Sequence, residues 1–194
     1  MNLMATLKYK NMMLDLETMG NKPDSAIVAI AAVPFDMVSG VTDDALFYEV
    51  VDLRSSAKHG GSIDADTVLW WLKQEGPARM EITDPEKQNG LSDTLYRLSK
   101  FSEKHCDKAV QVWGNGCNFD NVVLRYAYEQ CGIQPFWKFW NDRDVRTIVE
   151  LGRNAGIDPK KDFPFVGEAH NALDDALHQV NYVVAIHQHL FKNL

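Results

Sequence analysis

The chain has 194 residues, 45% hydrophobic and 24% charged, an ordinary globular composition that argues against disorder, a collagen-like repeat or a disulfide scaffold. Its length predicts one domain spanning 1–194, able to bury about 70% of its unfolded surface. Twenty Lys and Arg stand against 27 Asp and Glu, a net charge of −7, which argues against a protein that grips nucleic acid by bulk positive charge alone.

Met12 to Leu16 reads as a short strand ending at Gly20, where Asn21-Lys22-Pro23-Asp24 supplies turn chemistry. Ile27 to Phe35 is a second strand and central, Met37 to Thr42 a loop, and Ala45 to Leu53 a third strand. Their short connections predict an antiparallel meander. After Gly60-Gly61 the pattern turns helical: Ser62 or Asp64 can cap a helix through Val68, Leu69, Trp70 and Leu72. Leu91, Leu95, Leu98 and Phe101 mark another helix, Val110 to Trp113 a fourth strand, and Asn118 to Gln130 a helix behind it. Trp137 to Phe139 reads as a last short strand, Asp142 or Asp144 as the cap of a helix through Ile148 and Leu151, and Ala172 to His189 as the terminal helix. A meander followed by alternating units predicts an α/β fold with a mixed sheet flanked by helices.

No apolar run reaches the roughly 18–20 residues of a membrane span; the longest comparable stretch is Ala26 to Phe35. Met1 to Lys10 has neither an apolar core nor a cleavage site, so no secretory signal is expected there. Cys106, Cys117 and Cys131 are odd in number without CxxC spacing, which speaks for a reducing cytoplasm and against a zinc knuckle. Gly114-Asn115-Gly116 starts like a dinucleotide fingerprint, but Phe119 stands where the third glycine belongs.

Asp15 and Glu17 are the first residues with chemistry in them. At i and i+2 of a strand both carboxylates point to one face. Two such charges are costly to bury unpaired, and hard oxygen ligands suit Mg²⁺ or Mn²⁺. The plainer alternative is a pair of solvated strand-end acids. Asp120, between a strand and the helix after it, reads equally as a first-turn acid favoured by the helix dipole. In His170-Asn171-Ala172-Leu173-Asp174-Asp175-Ala176, a histidine ahead of a helix and a carboxylate one turn later can share a site. Asp174 is at i+4 from His170 and Asp175 at i+5, and spacing leaves both open.

Together, the ordered set D-x-E, D and H-x4-D resembles the DEDDh branch of 3′→5′ exonucleases, which share a ribonuclease-H-like fold. The matching residues are Asp15, Glu17, Asp120, His170 and Asp175, covering positions 15 to 175. Met13 to Gly20, Trp70-Trp71 and Trp113 to Gly116 look like the phage and prophage group of that branch, which is similar to bacterial exoribonucleases. The resemblance implies two Mg²⁺ or Mn²⁺ ions held by Asp15, Glu17, Asp120 and Asp175, with Asp15 bridging them. It assigns the ligand to Asp175 over Asp174, provided His170 lies on the loop before the helix. It makes His170 the general base, the 3′ end of RNA or DNA the partner, and a nucleoside 5′-monophosphate the product. Thr18 and Met19 would contact the terminal sugar and base, and a homodimer is also in keeping with it.

Trp70 and Trp71 lie about 100° apart on a helix, so they are unequally buried; either can stack on a base or join the core. Phe119 is open in the same way. Lys160-Lys161 could meet a phosphate, the plainer reading being a solvated loop. A competing function is a catalytically silent nucleic-acid-binding or adaptor domain, and a third is an endonuclease or phosphodiesterase on the same fold. RNA and DNA stay equal, since no motif encodes a 2′-OH contact.

Overall fold

The computed structural model describes residues 8–41, 45–74 and 76–192. Strand β1 (Tyr9–Thr18) and the almost wholly apolar β2 (Ile27–Phe35) pair antiparallel, with Asp15 opposite Ala31, and β3 (Phe47–Val51) continues the meander on the other side of β2. Strand β5 (Cys106–Gly114) runs parallel to β1, and β6 (Asp142–Asp144) parallel to β5. With the two-residue β4 (Gln88–Asn89), the sheet order is β4-β3-β2-β1-β5-β6.

Helices α4 (Leu91–His105) and α5 (Asp120–Gln130) cover one face of the sheet, where Leu91, Leu95, Leu98, Val123 and Leu124 pack with Met12, Leu14 and Leu16. Helices α6 (Val145–Asn154) and α8 (Ala172–Leu190) cover the other, where Val145, Ala176, Val180 and Val183 meet Met13, Ala31 and Val33. Alternation along β1 therefore sends Met13, Asp15 and Glu17 toward α8. At the end of the sheet, α2 (Ala65–Lys73) and α3 (Gly76–Thr83) close a third cluster around Met19, Ala26, Val28, Trp71 and Ile82.

The meander, its parallel extension and the helices expected from the sequence are all present. Asp64, not Ser62, caps α2, accepting from Thr67 N–H at 3.0 Å; Asp144, not Asp142, caps α6, accepting from Thr147 N–H at 2.9 Å. The expected third strand stops at Val51, because Asp52 caps a short helix, α1 (Leu53–Lys58), that takes Leu53 into its first turn. Thr42 lies outside the described residues.

The strand expected at Trp137 to Phe139 is not one. Trp137 is buried against Tyr128 and Phe136 and donates its indole N–H to Asp142 Oδ1 at 2.7 Å, while Phe139–Asn141 forms a 3₁₀ turn. The edge strand is Asp142–Asp144 instead, polar throughout, because pairing to β5 on one side requires no apolar alternation. Helices α1, α3 and the one-turn α7 (Pro159–Asp162), with β4, carry no periodic signal in the chain and arise from packing.

Candidate active site

Three carboxylates meet where β1 ends. Asp15, Glu17 and Asp175 each offer an oxygen within 4.8 Å of the others, and all three are partly buried. Strand alternation brings the first two together; the third comes from the first turn of α8, whose N-cap Asn171 accepts from Leu173 N–H at 3.0 Å. Asp120, the first residue of α5, enters beyond the end of the parallel neighbour β5. Gly114 ends that strand where a Cβ would fall 2.5 Å from Asn121 Oδ1 and 3.1 Å from Asp120 Cβ, so only glycine lets the turn approach α5 this closely. Asp120 is 4% exposed and accepts from Asn115 N–H at 3.1 Å. It stands outside the 4.8 Å group, but its negative charge is felt by both Asp15 and Glu17.

Burial raises every proton affinity in the cluster, and mutual repulsion adds to it at Asp15 and Glu17. Burial, then the charges of Asp120, Glu17 and Asp175, holds the Asp15 carboxyl well above the carboxylate range, against a lowering hydrogen bond from Gln179. Burial and the charges of Asp175 and Asp120 push Glu17 up to about 8. Burial likewise lifts Asp120 to about 6, and it raises Asp175 against the hydrogen bond from His170 N–H. Among the described residues no Lys or Arg forms an ion pair with any of the four. A buried set of hard oxygen donors with no ion-paired cation is the donor chemistry that Mg²⁺ or Mn²⁺ fits.

His170 lies on the loop before α8, as an Asp175 ligand requires. Its backbone is left-handed, φ 66°, with its N–H donating to Asp175 Oδ2 at 3.1 Å. Its ring is solvent-exposed and stands edge-on to Trp70, centroids 4.8 Å apart. Asp174 turns the other way: its Oδ2 accepts from Glu168 N–H at 2.8 Å, and a Cβ on Gly167 (φ 124°) would strike it at 2.6 Å. The structure thus separates the two adjacent acids by task, one facing β1 and one bracing the loop.

The tryptophan pair divides similarly. Trp71 is 3% exposed and donates its indole N–H to Thr18 O at 3.0 Å, whereas Trp70 is 40% exposed. Thr18 and Met19 are both buried, with Thr18 Oγ1 donating to Gly20 O at 2.7 Å and Met19 packed on Trp71. Phe119 is half-buried against the α5 side of the core.

One site residue escaped the sequence reading. Gln179 donates Nε2–H to Asp15 Oδ1 at 2.8 Å. The signal was there: Gln179 is at i+4 from Asp175, on the same helix face.

Known proteins resemble this chain in sequence and in fold. The sequence profile of the 3′-5′ exoribonuclease Rv2179c-like domain matches residues 10–187. An exodeoxyribonuclease of Enterobacteria phage T4 is 27% identical, over 71% of this chain and 69% of its own. The fold is similar to that of cell-death related nuclease 4, with a TM-score of 0.63 at 13% identity, covering 94% of this chain and 64% of that nuclease. It also resembles the nuclease domain of 3′hExo, a DEDDh family member bound to rAMP, with a TM-score of 0.56 at 14% identity, covering 95% of this chain and 94% of that domain. E. coli Exonuclease I in complex with a dA16 oligonucleotide gives a TM-score of 0.59 at 16% identity, over 95% of this chain and 43% of that enzyme. The mixed sheet flanked by helices is the ribonuclease-H-like fold of these nucleases. With its profile matched over almost the whole sequence, the chain belongs to the 3′-5′ exoribonuclease Rv2179c-like domain family and is a 3′→5′ exonuclease.

Proposed function

We propose that this enzyme, loaded with two divalent cations, removes nucleotides one at a time from a single-stranded 3′ end and releases nucleoside 5′-monophosphates. The observation that carries the reading is the convergence of Asp15, Glu17 and Asp175 within 4.8 Å, with Asp120 beside them and no Lys or Arg among the described residues in an ion pair with any of the four. The bound cations supply positive charge to a phosphodiester and to its attacking and leaving oxygens.

The chain's own residues do the rest. Asp15 sits at the centre of the cluster, its Oδ1 held by Gln179. Glu17 from the same face of β1, Asp120 from the start of α5 and Asp175 from the first turn of α8 complete the donor set. His170 takes the proton of the attacking water as general base. Its exposed ring projects from a loop whose backbone N–H is tied to Asp175, so base and ligand are placed by one short segment. Thr18 and Met19 receive the terminal sugar and base, Trp70 stacks on that base, and Trp71 and Phe119 support the pocket from the core.

The family description names an exoribonuclease and the T4 relative is an exodeoxyribonuclease, so both sugars belong in the test. Single-stranded RNA and DNA of one sequence, labelled at the 5′ end, are incubated with Mg²⁺ and with Mn²⁺. The expected result is a ladder shortened from the 3′ end. Internal fragments would instead indicate an endonuclease, and an intact bound oligomer a silent binding domain.

A further inference from the structure

The end of β1 has two flanks, because β1 lies between β2 and β5 in the sheet. On the β2 flank are Thr18, Met19 and Trp70, where Met19 N–H donates to Ala26 O at 2.8 Å. On the β5–β6 flank the surface opens into a cavity of about 450 Å³ among α6, α7 and α8. Arg146, Arg153 and Lys160 line it against the single carboxylate of Glu150, and Val149 and the Tyr182 ring form its apolar wall. Asp158 stands 3.5 Å from Arg153 and 3.6 Å from Lys161, and leaves Arg146 and Lys160 without an ion pair among the described residues.

The cavity begins where the carboxylate cluster ends. Asn115, at its lip, donates N–H to Asp120 at 3.1 Å and accepts from Arg146 Nη2 at 3.2 Å. The positive charge of Arg146 is felt at Asp120, and the charges of Asp15 and Asp175 are felt at Tyr182. In a chain of net charge −7, three cations gathered beside an acidic centre are an anion site by composition. The cavity at Lys8 and Lys108 makes the contrast, since it also carries Glu103 and Asp107 and lies at the opposite end of β5.

We propose that this cavity binds the backbone phosphate next upstream of the scissile one, on the 5′ side of the penultimate nucleoside. The proposal rests on the exonuclease reading above. With the terminal nucleotide on the Thr18–Trp70 flank and the scissile phosphate at the carboxylates, the strand leaves across the opposite flank. Arg146 and Lys160 meet the phosphate there, Arg153 adds to the field, and Tyr182 and Val149 carry the apolar edge of the nucleoside. Contacts to phosphate carry no sequence information, as suits an enzyme that consumes any 3′ end.

The test uses the full chain and three substrates in Mg²⁺: a dinucleoside monophosphate, the same compound bearing a 5′-phosphate, and a single-stranded hexamer. In the unmodified enzyme the upstream phosphate raises kcat/KM by about tenfold. In Arg153→Glu/Lys160→Glu that gain shrinks to about twofold. The salt dependence on the hexamer flattens by about 0.7 in log–log slope for each phosphate the variant no longer neutralises. Lys104→Glu, on exposed surface in the last turn of α4, keeps the gain. An unchanged gain in the double variant, or an equal loss in Lys104→Glu, overturns the proposal. Failure of the unmodified enzyme to shorten any substrate would overturn the exonuclease reading instead. Fluorescence anisotropy of a labelled hexamer then decides the cavity by itself, about tenfold weaker binding in the double variant supporting it and equal binding refuting it.

Discussion

Gln179 and Asp15, 164 residues apart, are joined by a 2.8 Å hydrogen bond from Nε2–H to Oδ1. Gln179 is 5% exposed, and its Oε1 is buried without a partner among the described residues. An amide held in such surroundings fixes one carboxylate oxygen and leaves the other free for a cation. Supporting partners of this kind commonly account for about 10–100-fold in metal affinity or activity. Gln179→Leu should therefore lower kcat by that factor and weaken Mg²⁺ binding with the fold intact, as read by calorimetric metal titration beside a kinetic assay. Unaltered metal affinity and turnover would remove Gln179 from the site.

Asp15 and His170 should separate by what is lost. His170→Ala is expected to cut turnover by about 10²–10⁴-fold while Mg²⁺ still binds, because the ring is exposed and outside the 4.8 Å carboxylate group. Asp15→Ala should abolish turnover and tight metal binding together. Full activity of either variant with Mg²⁺ present would contradict the assignment.

Trp70 and Trp71 should separate by KM against stability. Trp70 is 40% exposed and Trp71 is 3% exposed, in one helix. Trp70→Ala should raise KM by the equivalent of about 1–3 kcal/mol of base stacking with little change in thermal midpoint. Trp71→Ala removes core volume and the bond to Thr18 O, for which about 3–5 kcal/mol of stability is expected to be lost. Thermal melts and single-turnover kinetics on both variants check the division.

Metal-free stability should depend on pH in a defined direction. Burial lifts Glu17 from 4.5 to about 8 and Asp120 from 3.8 to about 6. Folding therefore takes up protons that the unfolded chain does not hold in this range. Stability is undiminished below the unfolded values and is lost as pH rises through the folded ones. In a chelator the thermal midpoint should fall from about pH 5 to about pH 8. Mg²⁺ at 100 times its Kd should raise the midpoint by roughly 5–10 °C at the alkaline end. The rise should be much smaller at the acid end, where protons compete for the same oxygens. A flat profile in chelator, or the same Mg²⁺ effect at both ends, would refute the electrostatic account of the cluster.

Much of this was legible in the chain because it is local. Period-two alternation in Met13-Leu14-Asp15-Leu16-Glu17 determined that both carboxylates share a face, and the apolar run of β2 determined a central strand beside them. The helical spacing of Leu91, Leu95 and Leu98 likewise determined α4 and its buried side. The polar edge strand Asp142–Asp144 was not legible, since its register comes from β5 and not from its own composition.

Tertiary structure alone decided how the pieces meet. Spacing left Asp174 and Asp175 equal, and the loop before α8 separated them by engaging Asp174 at Glu168 N–H and turning Asp175 toward β1. Adjacent positions left Trp70 and Trp71 equal until the packing of α2 on Thr18 and Met19 chose the buried one. Periodicity records how a segment faces its immediate surroundings. Convergence of Asp15 with Gln179, or of Arg146 with Asp120, depends on which helix packs over which strand end, and that is a property of the whole core.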